Sequence, residues 1–378
     1  MECAYGDGCR RDVGCQFLGQ PANWEHANTS FCIFHLPLEA KRDWSENQRL
    51  QFKKTVESEV ENGRTDFSGT EFPGQDTYIF VAKENPPRQY NFQFCKFDDN
   101  VQFSQTGAPG FDFEESIFEG KTSFLNVPLP TSASFRKVVF NGSLNFRSAD
   151  HASVNHAEAL DFAHARFLGE ADFQFRWFHT SLSFEGAHFA IAPNFMGCRF
   201  PENVSFHGAR FKRKALPKTA EARYRFLRKE MRTIGARDYE GLFYALEQKC
   251  RTKRYWWPAR FPFWFYDVTT SYGRSYERAA LSLVAVQFLA FISYYVLLNG
   301  QAEYSGAHWK DIAYFTVAQL FKPFEMFSQG AEVSDRIKHL LNDTSVDTIA
   351  YIAGTQSLIS FGIFGLLLLA IRWRFKRD

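Results

Sequence analysis

The sequence predicts a multidomain chain in which a β-solenoid is followed by a helical linker and a small membrane-helical domain. Three observations carry that prediction. Phenylalanine occurs 43 times in 378 residues and leucine only 27 times, whereas leucine is ordinarily among the commonest residues. The phenylalanines fall on a regular grid between positions 64 and 212. Two stretches near the C-terminus, 279–298 and 348–371, run for twenty and twenty-four positions without a charge. The formal net charge is only +2, so no global field selects nucleic acid or an acidic substrate as partner. Met1–Arg10 is polar and no apolar stretch follows it, so the sequence predicts no signal peptide.

Phe162, Phe173, Phe184, Phe195 and Phe206 recur at every eleventh position, and so do Phe167, Phe178, Phe189, Phe200 and Phe211. The two series interleave in steps of five and six. The same rhythm runs through Phe113, Phe118, Phe124, Leu129, Phe135, Phe140 and Phe146, with fragments at Phe67, Phe72, Phe92, Phe97 and Phe103. It slips between Phe146 and Phe162, where His151 and Ala157 fall near the expected slots. Such a step fits neither the helical period of about 3.6 nor the strand period of about 2. It is the mark of a repeat. A small residue often stands two before each Phe, as at Cys95, Ser116, Ala165, Ala187 and Cys198. Glycines between the slots, as in Phe184-Glu-Gly-Ala-His-Phe189, permit a tight bend. Each five or six residues then make one side of a coil, with Phe stacked on Phe of the next.

These residues resemble the pentapeptide-repeat family in its Phe-rich form. The resemblance implies a right-handed, four-sided β-helix over positions 64–212, with alternating steps of five and six closing each coil after twenty-two. About five and a half coils between Phe92 and Phe211 would stand roughly 26 Å tall at ~4.8 Å per coil. A fold is implied here and not an activity. DNA mimicry, known in the family, fits poorly: Phe113–Phe211 holds 10 acidic and 8 basic residues, too weak a charge to imitate a duplex. His164, His179, His188 and His207 occupy different slots of the repeat and are read as solvated residues that form no site.

Four of the seven cysteines, Cys3, Cys9, Cys15 and Cys32, precede Ile33, and His35 follows Cys32 as C-x2-H. Thiolate and imidazole at such spacing suit tetrahedral Zn²⁺. Positions 1–45 are too few for a core of their own, and a metal would supply the missing stability. The expected ligands of this zinc-knuckle-like segment are Cys3, Cys9, Cys32 and His35, with Cys15 the alternative for Cys3 or Cys9. Such a closed site would be structural. His26 is a weaker candidate, and reduced thiols without metal are the competing reading. Cys95 and Cys198 fill the small slot of the repeat.

After Phe211 the composition shifts. Lys212–Arg260 holds 15 Lys/Arg against 5 Asp/Glu. Tyr224, Leu227, Met231 and Ile234 mark one helical stripe, and Tyr239, Leu242, Phe243, Leu246 and Cys250 a second, with Gly235 as the turn between them. Positions 217–278 are expected to form a basic helical linker and an interfacial aromatic segment. Its charges suit anionic lipid better than nucleic acid, because a membrane span follows. Tyr255–Tyr266 is dense in Trp, Tyr and Phe, as at the headgroup level of a bilayer. Basic residues flank both spans, and the loop Asn299–Ser345 carries 4 Lys/Arg and 6 Asp/Glu. Both termini are therefore expected in the cytoplasm, with the spans in an inner membrane. That compartment is reducing and favours zinc over disulfides.

Within positions 279–372, Trp309–Phe321 is apolar but too short to span. It is expected to re-enter the membrane at about 307–321, and Lys322-Pro323-Phe324 should turn the chain back. Span, short helix, turn and span resemble the pore domain of two-span, potassium-channel-like proteins. Such pores take four copies, so the resemblance implies a homotetramer. A T-V-G-Y-G-type carbonyl filter is missing; Thr316-Val-Ala-Gln-Leu-Phe-Lys-Pro-Phe-Glu325 contains no glycine. Thr316, Gln319, Lys322 and Glu325 are the expected pore residues, without potassium selectivity. The alternative is a membrane-anchored scaffold whose solenoid binds a cytoplasmic protein or ligand. No catalytic residue is expected: G-x-S-x-G, a phosphate loop and H-E-x-x-H are all absent.

Overall fold

The structure is a computed structural model. It describes residues 24–26, 29–74, 76–79, 89–104, 110–125, 133–148, 159–215, 219–299, 309–321 and 343–375. The chain divides into two compact units, Met1–Cys250 and Arg251–Asp378.

The first unit is a β-solenoid of about five turns. A short antiparallel hairpin, β1 (Trp24–His26) and β2 (Thr29–Phe31), precedes it. Among the described residues, eighteen strands from β3 (Glu71–Phe72) to β20 (Arg210–Ala215) form parallel sheets of five, six and seven strands. Parallel pairing between successive coils aligns like residues. Phe97, Phe118, Phe140, Phe167, Phe189 and Phe211 are partners in unbroken succession.

The rings follow the register. Phe72, Phe97 and Phe118 stack at 4.6 and 4.5 Å, within 7° of parallel. Phe167 on Phe189 and Phe189 on Phe211 continue at 4.7 and 5.2 Å. A second column runs from Phe67 through Phe92, Phe113, Phe135, Phe162 and Phe184 to Phe206 at 4.7–5.5 Å. A third runs from Phe103 to Phe195 and meets the second edge to face, as where Phe162 meets Phe173 at 83°. Stacking within a column and edge contacts between columns both suit the aromatic quadrupole.

The expected coil length holds in part. Phe118 pairs with Phe140, and Phe167 with Phe189 and then Phe211, each at the expected twenty-second position. Phe140, however, pairs with Phe167, twenty-seven positions on. That longer coil is the slip seen between Phe146 and Phe162. Its extra length falls between β13 (Leu144–Asn145) and β14 (Ala159–Asp161); His151 and Ala157 lie there, outside the described residues. The physical reason is that a one-residue slip within a sheet would turn its phenylalanines outward. Length can vary only where no Phe column is at stake.

The small slot does more than fill space. Cys95 Sγ donates to the Phe67 carbonyl at 3.1 Å, Ser116 Oγ to Phe92 at 2.6 Å and Cys198 Sγ to Phe173 at 3.0 Å. Each satisfies a buried corner carbonyl of the previous coil. Burial pushes both cysteine thiols well above their usual range. Arg176 fills one such slot with a buried guanidinium, donating to the Phe146 and Phe124 carbonyls at 2.7 and 2.8 Å. It lies 4.5 Å over the Phe146 ring, and that ring tilts 54–55° from both neighbours in its column. Desolvation pulls its pKa down to about 10, so it remains charged at neutral pH.

Helices close both ends. Upstream, Ser45 and Gln48 form a capping box at the start of α2 (Glu46–Glu61), whose Phe52 meets Phe72 edge-on at 5.9 Å. Lys41, on the preceding α1 (Leu38–Arg42), is buried under this cap. Its Nζ donates to the carbonyls of Phe34, at 2.9 Å, and Glu71, and lies 4.7 Å from the Phe52 ring. Burial pulls its pKa down to about 7. Downstream, α3 (Ala220–Thr233) and α4 (Arg237–Thr252) turn at Gly235, which takes the left-handed conformation at φ 75°. Phe243 caps Phe206 edge-on at 5.1 Å, and Tyr224 caps Phe211 at 5.9 Å. The two predicted stripes therefore seal the last coil, and several of their basic residues are paired, as in Arg225 with Glu247 at 2.9 Å and Arg232 with Glu240 at 2.7 Å.

The second unit holds α5 (Trp257–Thr270), α6 (Tyr276–Asn299), α7 (Trp309–Phe321) and α8 (Asp343–Phe375). Two of its helices are long and apolar enough to cross a membrane, over Tyr276–Leu297 and Thr348–Arg372. Leu281, Val284, Phe288, Leu289, Leu358 and Leu368 stand exposed on them.

Phe195 stacks on Phe173 at 4.7 Å and meets Phe184 edge-on at 5.5 Å. Phe195→Ala should destabilise the solenoid by roughly 3–5 kcal/mol, read as a lower denaturant midpoint. Met196→Ala, at an exposed neighbour, should change it by less than about 0.5 kcal/mol. Equal effects would contradict the stacked interior.

Candidate functional site

Two arrangements correspond to the residues singled out in the sequence. The first is at the start of the solenoid. The Cys32 carbonyl accepts from the backbone N–H groups of His35 and Leu36, at 3.2 and 3.0 Å. That turn folds the His35 ring back over Cys32, so that Cys32 Sγ and His35 Nδ1 are 3.3 Å apart and both residues are buried. His35 Nε2 faces the Ser68 carbonyl at 3.5 Å. Such an outer contact favours the Nε2–H tautomer and leaves the Nδ1 lone pair toward sulfur. Among the described residues no three His, Cys, Asp or Glu side chains gather to hold a metal. Cys3, Cys9 and Cys15 lie outside the described residues.

The second arrangement is a polar seam in the second unit. Gln287 and Tyr294 are seven apart on α6 and so share a face. Gln356, Ser357 and Ser360 sit on one side of α8. The Tyr294 hydroxyl donates to Gln356 Oε1 at 2.7 Å, and Gln356 Nε2 donates to Gln287 Oε1 at 2.6 Å. Gln287 Nε2 donates to Ser360 Oγ at 2.9 Å. The same seam receives α7: Gln356 Nε2 donates to the Thr316 carbonyl at 2.9 Å and Ser357 Oγ to the Gln319 carbonyl at 2.7 Å.

Ser357 answers a definite need. The Gln319 carbonyl would normally accept from the N–H four residues on, and that residue is Pro323, which has none. An orphan carbonyl at the end of α7 is thus satisfied by a hydroxyl of α8. Around the seam Ala290, Tyr294, Ile312, Phe315, Ile349 and Ala353 form a buried apolar cluster.

Of the four expected pore residues, Thr316 and Gln319 are 2% and 4% exposed. Thr316 Oγ1 donates within its own helix to Ile312 at 2.7 Å. Gln319 Oε1 is buried without a donor among the described residues. Lys322 and Glu325 lie outside the described residues. Sequence reasoning missed Gln287, Tyr294, Gln356, Ser357 and Ser360. A usable signal existed, because Gln287 and Gln356 are the only amide side chains in the two uncharged stretches. Counting charges passes over them.

No protein family, no curated protein and no solved structure matches this chain.

Gln356 uses both its amide donor and its acceptor in the seam, so Gln356→Leu should lower the thermal midpoint in detergent, at a cost of about 1–2 kcal/mol. Leu358→Ala, at a site 74% exposed, should leave it nearly unchanged. An unaltered midpoint in Gln356→Leu would contradict the seam.

Proposed function

We propose that this chain is an oligomeric inner-membrane protein of channel type, with both termini in the cytoplasm. The solenoid is taken as the right-handed, four-sided coil of the pentapeptide-repeat family, and the two-span units as four copies around one path. The observation that carries the reading is the fastening of α7 to α8 within the seam that α8 shares with α6. Gln356 lies eight residues inside the apolar stretch that begins at Thr348, ~12 Å along the axis. A short helix bonded there, with its polar backbone end answered by Ser357, supports a re-entrant helix. Irregular backbone is tolerated at that depth only against protein or water. Polar side chains inside spans are costly and face bundle interiors or aqueous paths.

Because Thr316–Glu325 has no glycine, the path lacks a carbonyl filter and does not select potassium. Lys322 and Glu325 would line its mouth. Bilayer recording tests this: the wild type should conduct, and Lys322→Glu should shift preference toward cations. A wild type that never conducts would favour the scaffold instead, a membrane-anchored solenoid that recruits a protein partner. One observation already favours that reading: Thr316 and Gln319 are buried within their own unit.

We further propose zinc at the N-terminus, held by Cys32 and His35 with Cys3 and Cys9, or Cys15 in place of one of these. A sulfur and a nitrogen on one tetrahedral zinc stand about 3.5 Å apart, from Zn–S near ~2.3 Å and Zn–N near ~2.0–2.1 Å. The 3.3 Å pair fits that spacing. The metal would be structural. Metal analysis should find about one zinc per chain and its loss in Cys32→Ser; full retention in that variant would overturn the assignment.

A further inference from the structure

Outward charges on the early coils are cross-linked. Lys96 pairs with Glu71 at 3.0 Å, Lys137 with Glu115 at 2.9 Å and Arg136 with Asp161 at 3.0 Å. The last coils break this habit. Arg166, His188 and Arg210 follow one another in register on β15 (Arg166–Phe167), β18 (His188–Ile191) and β20. Lys212 stands two residues beyond Arg210, on the same face of the strand. Among the described residues none of Arg166, Arg210 and Lys212 has an acidic partner. Arg166 and Arg210 stand two strands apart with His188 between them, roughly 9.6 Å at ~4.8 Å per strand, so their like charges repel across it.

The three cations line one concavity of about 630 Å³ with His164, His188 and His207, and with a single acid, Glu185. Three of the four histidines read above as solvated residues in different slots thus share one hollow, and His179 does not line it; His164 and His207 are exposed. Different slots of the repeat converge because the chain takes a left-handed corner between them. His164 holds that corner at φ 60°, and Gly186 and Gly208 hold it on the next two coils at φ 63° and 67°. A side chain on Gly186 would strike the His164 ring, its Cβ lying 2.4 Å from Nδ1. Glycine therefore leaves the hollow open and gives the imidazole its place. The His188 Nδ1 atom is buried and has no hydrogen-bond partner among the described residues. Burial, with Lys212, Arg166 and Arg210 around it, pushes the His188 pKa down.

We propose that this concavity binds a phosphorylated small molecule of nucleotide size carrying at least two negative charges. Guanidinium forks match phosphate oxygens in pairs, and Lys212 adds a compact charge. An anion here relieves the repulsion among Arg166, Arg210 and Lys212 and meets the unused donor capacity of the histidines. The volume suits a small ligand. Glu185 repels phosphate and so sets the ligand's direction, accepting a hydrogen bond from a hydroxyl on the uncharged part. The site stands whether or not the chain conducts ions.

The test uses the full chain in phosphatidylcholine nanodiscs, titrated with inorganic pyrophosphate by calorimetry. Wild type should bind. Arg166→Gln and Arg210→Gln should each weaken binding about tenfold or more. Lys96→Gln, on a distant and already paired charge, should not. Glu185→Gln should tighten binding severalfold, a gain that misfolding cannot produce. Nanodiscs containing phosphatidic acid separate the two sources of phosphate. Competition in wild type alone would support the site and name a lipid headgroup as its occupant. Unchanged affinity would support a soluble ligand. No pyrophosphate binding, or equal binding by the Arg166→Gln, Arg210→Gln double variant, would overturn the proposal.

Discussion

Ring-on-ring stacking of phenylalanines between successive coils, at 4.5–5.5 Å, governs the first unit. The backbone ladder repeats at about 4.8 Å, close to the separation at which aromatic faces meet. Ladder and stack therefore demand the same register. This explains why the coil from Phe140 to Phe167 takes its extra length after Phe146, in a segment without Phe. Beside the columns, Cys95, Ser116 and Cys198 donate to corner carbonyls of the previous coil. An exception carries a cost. Arg176 satisfies two carbonyls at once, yet its guanidinium turns Phe146 out of parallel.

A column of stacked rings has two bare ends, and a repeat protein must cover them. Phe52 does so at one end, and Tyr224 and Phe243 at the other, in edge-on contacts. Lys41 belongs to the same problem. Among the described residues β3 ends its sheet; the Glu71 N–H still donates to the Phe34 carbonyl at 3.0 Å, and the buried ammonium donates to that carbonyl and to the Glu71 carbonyl. The second unit meets the same demand differently. Amide and hydroxyl side chains of α8, tied to α6, hold α7, including a carbonyl that Pro323 leaves unanswered.

Much of this was legible in the chain itself. The Phe grid, with its eleven-position step, stands out because stacked rings fill the interior at almost every slot. The two long apolar helices were legible because hydropathy sums over many residues. The longer coil showed only as a slip between Phe146 and Phe162, since its added length carries no Phe to mark a slot. The seam was hidden because Gln287 and Gln356 are uncharged and widely separated in sequence. The concavity at Arg166, His188 and Arg210 was hidden for a third reason: assigning each residue to a slot ignores how a left-handed corner gathers different slots on one face. Of the expected zinc ligands Cys32 and His35 lie together, and of the expected pore residues Thr316 and Gln319 are both buried on α7.

The channel reading turns on whether copies of α6, α7 and α8 enclose a path. The exposed leucines and phenylalanines of the long helices fit lipid on one side, and the fastened α7 fits a lining element on the other. Single-particle imaging of the full-length protein in nanodiscs measures this most directly. The account predicts four copies about one axis, with α7 at membrane depth and an open passage between them. A monomer, or an assembly with no central passage, would contradict it.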